Sequence, residues 1–273
     1  MGKNIATIIF SCDRPMQLNL CLRSLYENLD EYSDIHVLYT YSNDDFKKAY
    51  ETEEKKHKFV EFRRENDFKS DLLQLIHDKM YVLFVVDDCI FTNDFSVNEI
   101  EKLLEERDDI IGFSLRLGLN TKYCYPENKS QEIPEYEIYK DKMVFNWSNA
   151  EYDFGYPLEL SSSIYRVKDI FAILYDCKYK NPNELEWLMY LNKDIYKNER
   201  PKLSCYKQSV AFCNPINKVQ TANAVNRSGD SIEYSAHSLL TEFNKCGIIK
   251  YSKFKGFVPK GAHQEVEIEI LYE

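Results

Sequence analysis

Hydrophobic positions in the first part of the chain switch repeatedly between two periods. Residues 5–10 (IATIIF) form an unbroken apolar run rich in β-branched side chains, which predicts a strand buried on both faces. The polar segment Ser11-Cys12-Asp13-Arg14-Pro15 interrupts it. Leu18, Leu20, Cys21 and Leu25 then recur at helical spacing within residues 17–29, predicting an amphipathic helix. The unit returns as a strand at 35–39, a polar helix at 43–56, a short strand at 59–62 and a helix at 67–77. Residues 81–86 (YVLFVV) follow as the most apolar strand, before a helix at 96–106 and a strand at 110–115. Alternating β and α elements predict a mainly parallel sheet covered on both faces. Ligands of such sheets bind beyond the carboxyl ends of the strands, so the polar residues after Phe10, Tyr39, Phe62 and Val86 are the first candidates for chemistry.

Beyond this the pattern loosens. Residues 118–160, rich in Tyr, Asn and Pro, read as long loops with short strands, of the kind that in compact domains is functional or mobile. Helices are expected at 167–175, 182–192 and 234–246, a strand at 209–212, and a Ser/Asn-rich loop at 214–230. The alternation VEIEIL predicts a half-exposed strand at 266–271. No internal repeat and no linker divides the chain, so residues 1–273 are expected to form one domain with an amino-terminal half at 1–117 and a second half at 118–273.

Composition narrows the function classes. The chain has 273 residues, 44% hydrophobic and 29% charged, with only 8 Gly and 8 Pro, which describes a globular protein with a sizeable core. A net charge of −10 argues against a nucleic-acid partner, because backbone tracking needs an excess of Lys and Arg. Any phosphate must be held locally. Eight cysteines without a CxxC pair, in a chain too large to need staples, predict reduced thiols and a cytoplasmic location. The opening apolar run is too short for a signal-peptide core, and no stretch reaches the roughly 18–20 apolar residues of a membrane helix. Membrane contact, where it occurs, is expected to be peripheral, at the inner face. The abundance of Tyr and Phe fits genome composition as well as it fits function.

Asp87 and Asp88 sit where the most apolar strand ends. Adjacent carboxylates there repel unless a cation or hydrogen-bond donors compensate, and Mg²⁺ or Mn²⁺, with its preference for carboxylate and phosphate oxygens, supplies that compensation. The plain alternative is a loop start with two solvated acids, one capping the next turn. Receiver-like phosphoacceptor domains also pair acids at strand ends, but after the first strand; here the pair follows roughly the fourth.

Together these segments resemble the GT-A glycosyltransferases of the family 2 type. Residues 8–15 (IIFSCDRP) and the helix after them are similar to the nucleotide-binding start of that family, and residues 83–88 (LFVVDD) to the strand leading into its DxD motif. Residues 160–166 (LSSSIYR) resemble its acceptor-side strand, and residues 183–187 (NELEW) fall where it carries a Glu-Asp catalytic motif. The likeness runs over about residues 4–190 and rests on the order of the motifs. Asp87-Asp88-Cys89 departs from a strict DxD, and Glu184-Leu185-Glu186 from Glu-Asp. The resemblance implies an α/β fold with a twisted, mainly parallel sheet flanked by helices and a Rossmann-like nucleotide-binding half at 1–117. It further implies a nucleotide-sugar donor, a divalent metal, and a glycan, lipid-linked or protein acceptor.

On this resemblance Asp87 faces the ribose or base of the donor, Asp88 reaches the metal, and His263, before a late strand, completes the metal site. An inverting transfer needs a carboxylate base, for which Glu186 and Glu184 compete. Residues 181–184 (NPNE) have the form of a helix start with Glu184 returning a capping bond, which favours Glu186; Asp153 is a further candidate. Donor contacts are expected from Ser11, Asp13, Arg14, Asp44, Asp45, Lys69 and Arg227, the last in a polar loop at 220–227 of the sort that closes over a diphosphate. Arg63 follows a strand at the same edge. Trp147, Tyr152 and Tyr156 offer flat faces to an acceptor sugar, though burial in the core is the stronger expectation for Trp147.

Two rival readings remain. A sugar nucleotidyltransferase normally opens with a Gly-rich phosphate loop, which residues 11–15 lack. A catalytically silent GT-A-like module that binds a glycan or partner fits the departures at Cys89 and Leu185.

Overall fold

The computed structural model describes residues 4–30, 34–219 and 227–272. Its amino-terminal half is built from β1 (Ile5–Cys12), α1 (Pro15–Asn28), β2 (Asp34–Thr40), α2 (Asp44–Lys56), β3 (Val60–Arg64), α3 (Phe68–Ile76), β4 (Tyr81–Val86), β5 (Cys89–Phe91), α4 (Val97–Glu106) and β6 (Ile110–Ser114). The second half adds β7 (Tyr123–Cys124), β8 (Lys129–Ser130), β9 (Tyr136–Tyr139), β10 (Lys142–Asn146), β11 (Ser162–Arg166), α5 (Val167–Asp176), α6 (Pro182–Asn192), β12 (Lys202–Tyr206), β13 (Ala211–Cys213), α7 (Ala236–Asn244), β14 (Gly247–Ile249) and β15 (Ile270–Tyr272).

A nine-stranded sheet in the order β3-β2-β1-β4-β11-β6-β12-β10-β9 forms the spine. Strands β1 to β4 pair in parallel, as alternation predicts. The sheet then becomes mixed. β11 inserts antiparallel between β4 and β6, and β10 pairs antiparallel with both β12 and β9, so these two run against the other seven. The result is an α/β fold with a large, mixed sheet and flanking helices, as the GT-A resemblance implies.

The unbroken apolar run of β1 is explained by burial on both faces. Ala6, Ile8 and Phe10 enter one core with Phe84, Tyr165, Leu72 of α3, Ile170 of α5 and Leu185 of α6. Ile5 and Ile9 enter the opposite core with Val85, Leu18 and Leu25 of α1, and Ile100 and Leu103 of α4. Each buried Val, Leu, Ile or Phe side chain among them contributes about 1.5–3 kcal/mol. The outer side of α1 is covered too: Met16 and Leu20 meet Phe46 of α2, Leu239 and Phe243 of α7, and Ile249. Helix starts follow the sequence, with Asn43, Asp67, Ser96, Asn181 and Ser235 accepting from backbone N–H groups of the first turn. α1 begins with Pro15 and has no side-chain cap, since Arg14 at the N-cap carries only donors and cannot accept from the first-turn N–H groups.

Two strand boundaries are corrected. The strand expected at 266–271 shrinks to Ile270–Tyr272, because residues 266–269 run beside Asn214 and Lys250 through single contacts and not along a ladder. The strand expected at 209–212 lies at Ala211–Cys213 and pairs with β5, a strand the pattern did not mark. Within the loose region, β9 and β10 form a hairpin turned by Lys140 and Asp141, both at positive φ. Among the described residues no helix is long and apolar enough to cross a membrane, and none of the eight cysteines is in a disulfide.

Candidate active site

The carboxyl ends of β1 and β4 lie side by side, which brings Ser11, Cys12 and Arg14 against Asp87 and Asp88. The chain leaves β1 through Asp13 at φ 52°, a left-handed conformation that Asp tolerates, so that Pro15 can start α1 at once. The Asp13 carboxylate accepts from the Ser42 N–H at 2.9 Å, fixing the loop after β2 to the same edge.

Asp87 is enclosed by donors. Its Oδ2 accepts from Ser11 Oγ at 2.9 Å and from the Cys12 N–H at 3.2 Å, and its Oδ1 from Arg14 Nη1 at 3.0 Å. Tyr50 supports both sides of this loop, with its hydroxyl 2.6 Å from Ser11 Oγ and accepting from the Arg14 N–H. Burial, opposed by Arg14, pushes the Asp87 carboxyl up to about 6, and burial together with Asp13 pushes the Cys12 thiol up to about 12. The same Arg14 Nη1 donates to Asp88 Oδ2 at 3.1 Å, so one guanidinium nitrogen bridges both carboxylates. The other end of that guanidinium is held by Asn217, through Nε to Oδ1 at 2.8 Å and Nη2 to the carbonyl oxygen at 2.6 Å. Asn217 lies far along the chain, and nothing in its sequence context marked it.

β5 carries Asp88 into a second layer. Cys89 pairs with Cys213, Cys213 bridges to His263, and the Asn214 N–H donates to the Asp88 carbonyl at 2.9 Å. The His263 ring faces Arg116. Its Nε2 is 3.1 Å from Arg116 Nη1, which also reaches Cys213 Sγ at 3.4 Å, while Arg116 Nη2 donates to Glu159 Oε2 at 2.7 Å. Because Arg116 must donate, His263 Nε2 must accept, and the imidazole is neutral. Burial, and then Arg116, hold it well below the ordinary histidine range. Glu159 also accepts from the Ser161 N–H and the Ser163 hydroxyl, which saturates a buried carboxylate at the start of β11.

The two candidate bases on α6 differ in employment. Glu184 accepts from the Lys180 N–H at 2.8 Å and Asn181 Nδ2 at 3.1 Å while its own N–H bonds Asn181 Oδ1, so it serves the helix start. Glu186 reaches the Leu160 N–H at 3.0 Å, beside Tyr156 and Glu159, and burial raises its carboxyl. Asp153 is half-buried, accepts from Gln131 Nε2 at 3.0 Å, and is likewise raised by desolvation. Tyr156 stacks on Tyr190 at 5.0 Å, and Tyr190 on the half-exposed Trp187 at 5.6 Å, an aromatic row of which the sequence reading named only Tyr156.

Other expected contacts lie elsewhere. Lys69 donates to the carbonyls of Tyr175 and Cys177, closing the end of α5 and not facing the acidic pair. Asp44 and Asp45 are exposed in the first turn of α2. Arg63 is spent on Glu61 and Gln74. Arg227 donates to Tyr123 and Asn128 on the β7–β8 hairpin; the rest of the loop expected to close over a donor, 220–226, lies outside the described residues. Trp147 is 1% exposed, with Nε1 bonded to the Arg200 carbonyl, and is a core residue with no face for a sugar. Tyr152 lies under Lys129 at 5.6 Å.

No family model matches the chain. It is similar to the bifunctional glycosyltransferase pgtA of Dictyostelium discoideum, at 31% identity over 249 residues that cover 79% of this chain and 32% of that protein. The chain thus spans about a third of the length of the curated relative it matches. Among solved structures it is similar to S. aureus TarS 1–349 in complex with UDP-GlcNAc, at 15% identity and a TM-score of 0.48, covering 82% of this chain and 60% of that one. It is also similar to the mannosyltransferase PcManGT of Pyrobaculum calidifontis in complex with GDP-Man and Mn²⁺, at 11% identity and a TM-score of 0.39, covering 63% and 47%.

Proposed function

We propose that this chain is a glycosyltransferase that moves a sugar from a nucleoside-diphosphate donor to a hydroxyl of a glycan, lipid-linked or protein acceptor. The observation that carries this reading is the cluster of Ser11, Arg14, Asp87 and Asp88 where β1 and β4 end, the place at which such sheets take nucleotides. The similarity to pgtA supports it.

In this reading transfer proceeds with inversion. Glu186 takes the proton from the acceptor hydroxyl as its oxygen bonds to the anomeric carbon, while the bond from that carbon to the diphosphate breaks and its electron pair leaves on the diphosphate oxygen. A carboxyl raised by burial is a stronger base than an exposed one, which suits Glu186. Glu184, occupied at the helix start, is not assigned the step. Asp87, fixed by the backbone of β1, meets the nucleoside, and Tyr156 borders the acceptor.

A divalent cation at Asp88 and His263 would supply charge for the departing diphosphate. His263 offers it nothing on Nε2, which faces the Arg116 cation, and Asp88 Oδ2 faces the Arg14 cation. Among the described residues no group of three His, Cys, Asp or Glu side chains is placed to hold an ion. Asp88 and His263 as placed do not form a ready cation site.

The test is thermal shift with a panel of nucleoside diphosphates, UDP and GDP first, with and without Mn²⁺, on wild type and Asp87→Ala. Stabilisation by one nucleotide, lost in the variant, is the expected result. Indifference to every nucleotide would remove the reading.

A further inference from the structure

The acidic pair already has a cation. Arg14 Nη1 stands 3.0 Å from Asp87 Oδ1 and 3.1 Å from Asp88 Oδ2, at side-chain exposures of 11%, 5% and 13%. A guanidinium has five N–H groups in a fixed plane. Two go to the carboxylates and two to Asn217, which leaves one on Nη2 with no partner among the described residues. Such a clamp cannot swing aside without unpairing buried groups at both ends, each of which costs free energy when left unsatisfied.

We propose that Arg14 is the resident cation of the Asp87–Asp88 pair, standing where a divalent ion is expected, so that the chain alone binds no such ion there. An ion entering beside Arg14 would meet a positive charge a few ångströms away in a poorly screened setting. An ion replacing it would have to release four hydrogen bonds. Removing the guanidinium reverses the balance. Asp87 and Asp88 are then two uncompensated carboxylates, with the Asn217 carbonyl and amide oxygens beside them. The Gln17 amide, buried and without a partner among the described residues, lines the same small cavity of about 10 Å³ as the two acids. Carboxylate and amide oxygens are the ligands a hard divalent cation prefers.

The inference rests on the proposed function only for the reason an ion is expected; the contacts stand without it. The experiment is titration of the metal-free chain with Mn²⁺ alone, reading free Mn²⁺ by electron paramagnetic resonance, on wild type, Asp88→Asn, Arg14→Lys, Arg14→Met and Arg14→Met/Asp88→Asn. Wild type and Arg14→Lys are expected to show no saturable binding at millimolar Mn²⁺. Arg14→Met is expected to take up one equivalent at least about tenfold tighter, with the gain lost in the double variant. One equivalent bound by wild type and abolished by Asp88→Asn would overturn the proposal, as would an Arg14→Met protein that folds and gains nothing. Should Arg14→Met fail to fold, the wild-type and Asp88→Asn titrations decide alone. Nucleoside-diphosphate binding is measured separately, so its failure would strike the proposed function and leave the Mn²⁺ result readable.

Discussion

Glu186 leaves the first turns of α6 to accept the Leu160 N–H at 3.0 Å, tying that helix to the loop that feeds β11. Two residues earlier, Glu184 bonds its own helix start and the residue before it. One turn of helix thus carries two glutamates with separable duties. Glu186→Gln keeps an oxygen for Leu160 and removes the base, so kcat for sugar transfer is expected to fall about 10²–10⁴-fold with the melting temperature nearly unchanged. Glu184→Gln is expected to lower stability by about 0.5–1 kcal/mol and leave kcat in place. Reversed outcomes in steady-state kinetics and calorimetry would exchange the two assignments.

Asp87 gives a pH signature. Burial raises its carboxyl from 3.8 to about 6 in the folded chain, so on acidification the folded state takes up the proton first. The stability tied to that proton is complete below about pH 4 and is lost as pH rises through about 6. His263 acts with the opposite sign: a lowered histidine favours the folded state above about pH 6.5, and that advantage disappears below it. Urea unfolding of wild type and Asp87→Asn across this range isolates the first effect, since His263 is common to both. The stability of wild type relative to the variant is expected to be larger at pH 4.5 than at pH 7; a constant difference would mean the carboxyl is not desolvated.

The Arg116–Glu159 pair at 2.7 Å is buried on both sides. Glu159→Ala strands the guanidinium next to His263 and is expected to cost about 3–5 kcal/mol. Lys140→Ala, which breaks an exposed pair with Glu106, is expected to cost under about 1 kcal/mol. Chemical denaturation of both variants checks the contrast.

Gly261 precedes the single bridge at His263 and lies on the Tyr123 backbone: a Cβ there would stand 2.1 Å from the Tyr123 carbonyl oxygen. Gly261→Ala must push the two segments apart at the Tyr123 N–H to Lys260 carbonyl bond, and a loss of about 1–3 kcal/mol is expected. Amide exchange at Tyr123 should accelerate with it. An unchanged rate would show that the contact is not needed.

The half of the fold made of β1 to β4 was legible because β1 and β4 are apolar along nearly their whole length, α1 opens on Pro15, and α2 and α3 begin with their own caps at Asn43 and Asp67; local pattern sufficed. The antiparallel entries of β10 and β11 were not, because a strand's direction depends on where the chain returns from, and no residue in 142–146 or 162–166 encodes that. Ser11, Asp87 and Arg14 could be placed at the ligand edge because they directly follow strands. Asn217 and Arg116 escaped notice because each owes its position to partners about 200 and 150 residues away. Lys69 misled for the same reason: a lysine one helix from the edge found carbonyls at the end of α5 instead. The bridging role of Arg14 could not be read at all, since sequence gives the charges near Asp88 but not which of them arrives first.

The interlacing of residues 89, 213 and 263 also bears on the order in which the molecule can be built. Cys213 donates to the Ala262 carbonyl, Gln264 returns a bond to Cys213, and Asn214 closes on Asp88, so the wall behind the acidic pair joins segments separated by most of the chain. Contacts of such long sequence separation form late, after the entropy of closing the intervening loops has been met. During synthesis the first four strands can pair while the ribosome is still extending the second half, but the surroundings of Asp88 stay unfinished until residue 263 has emerged.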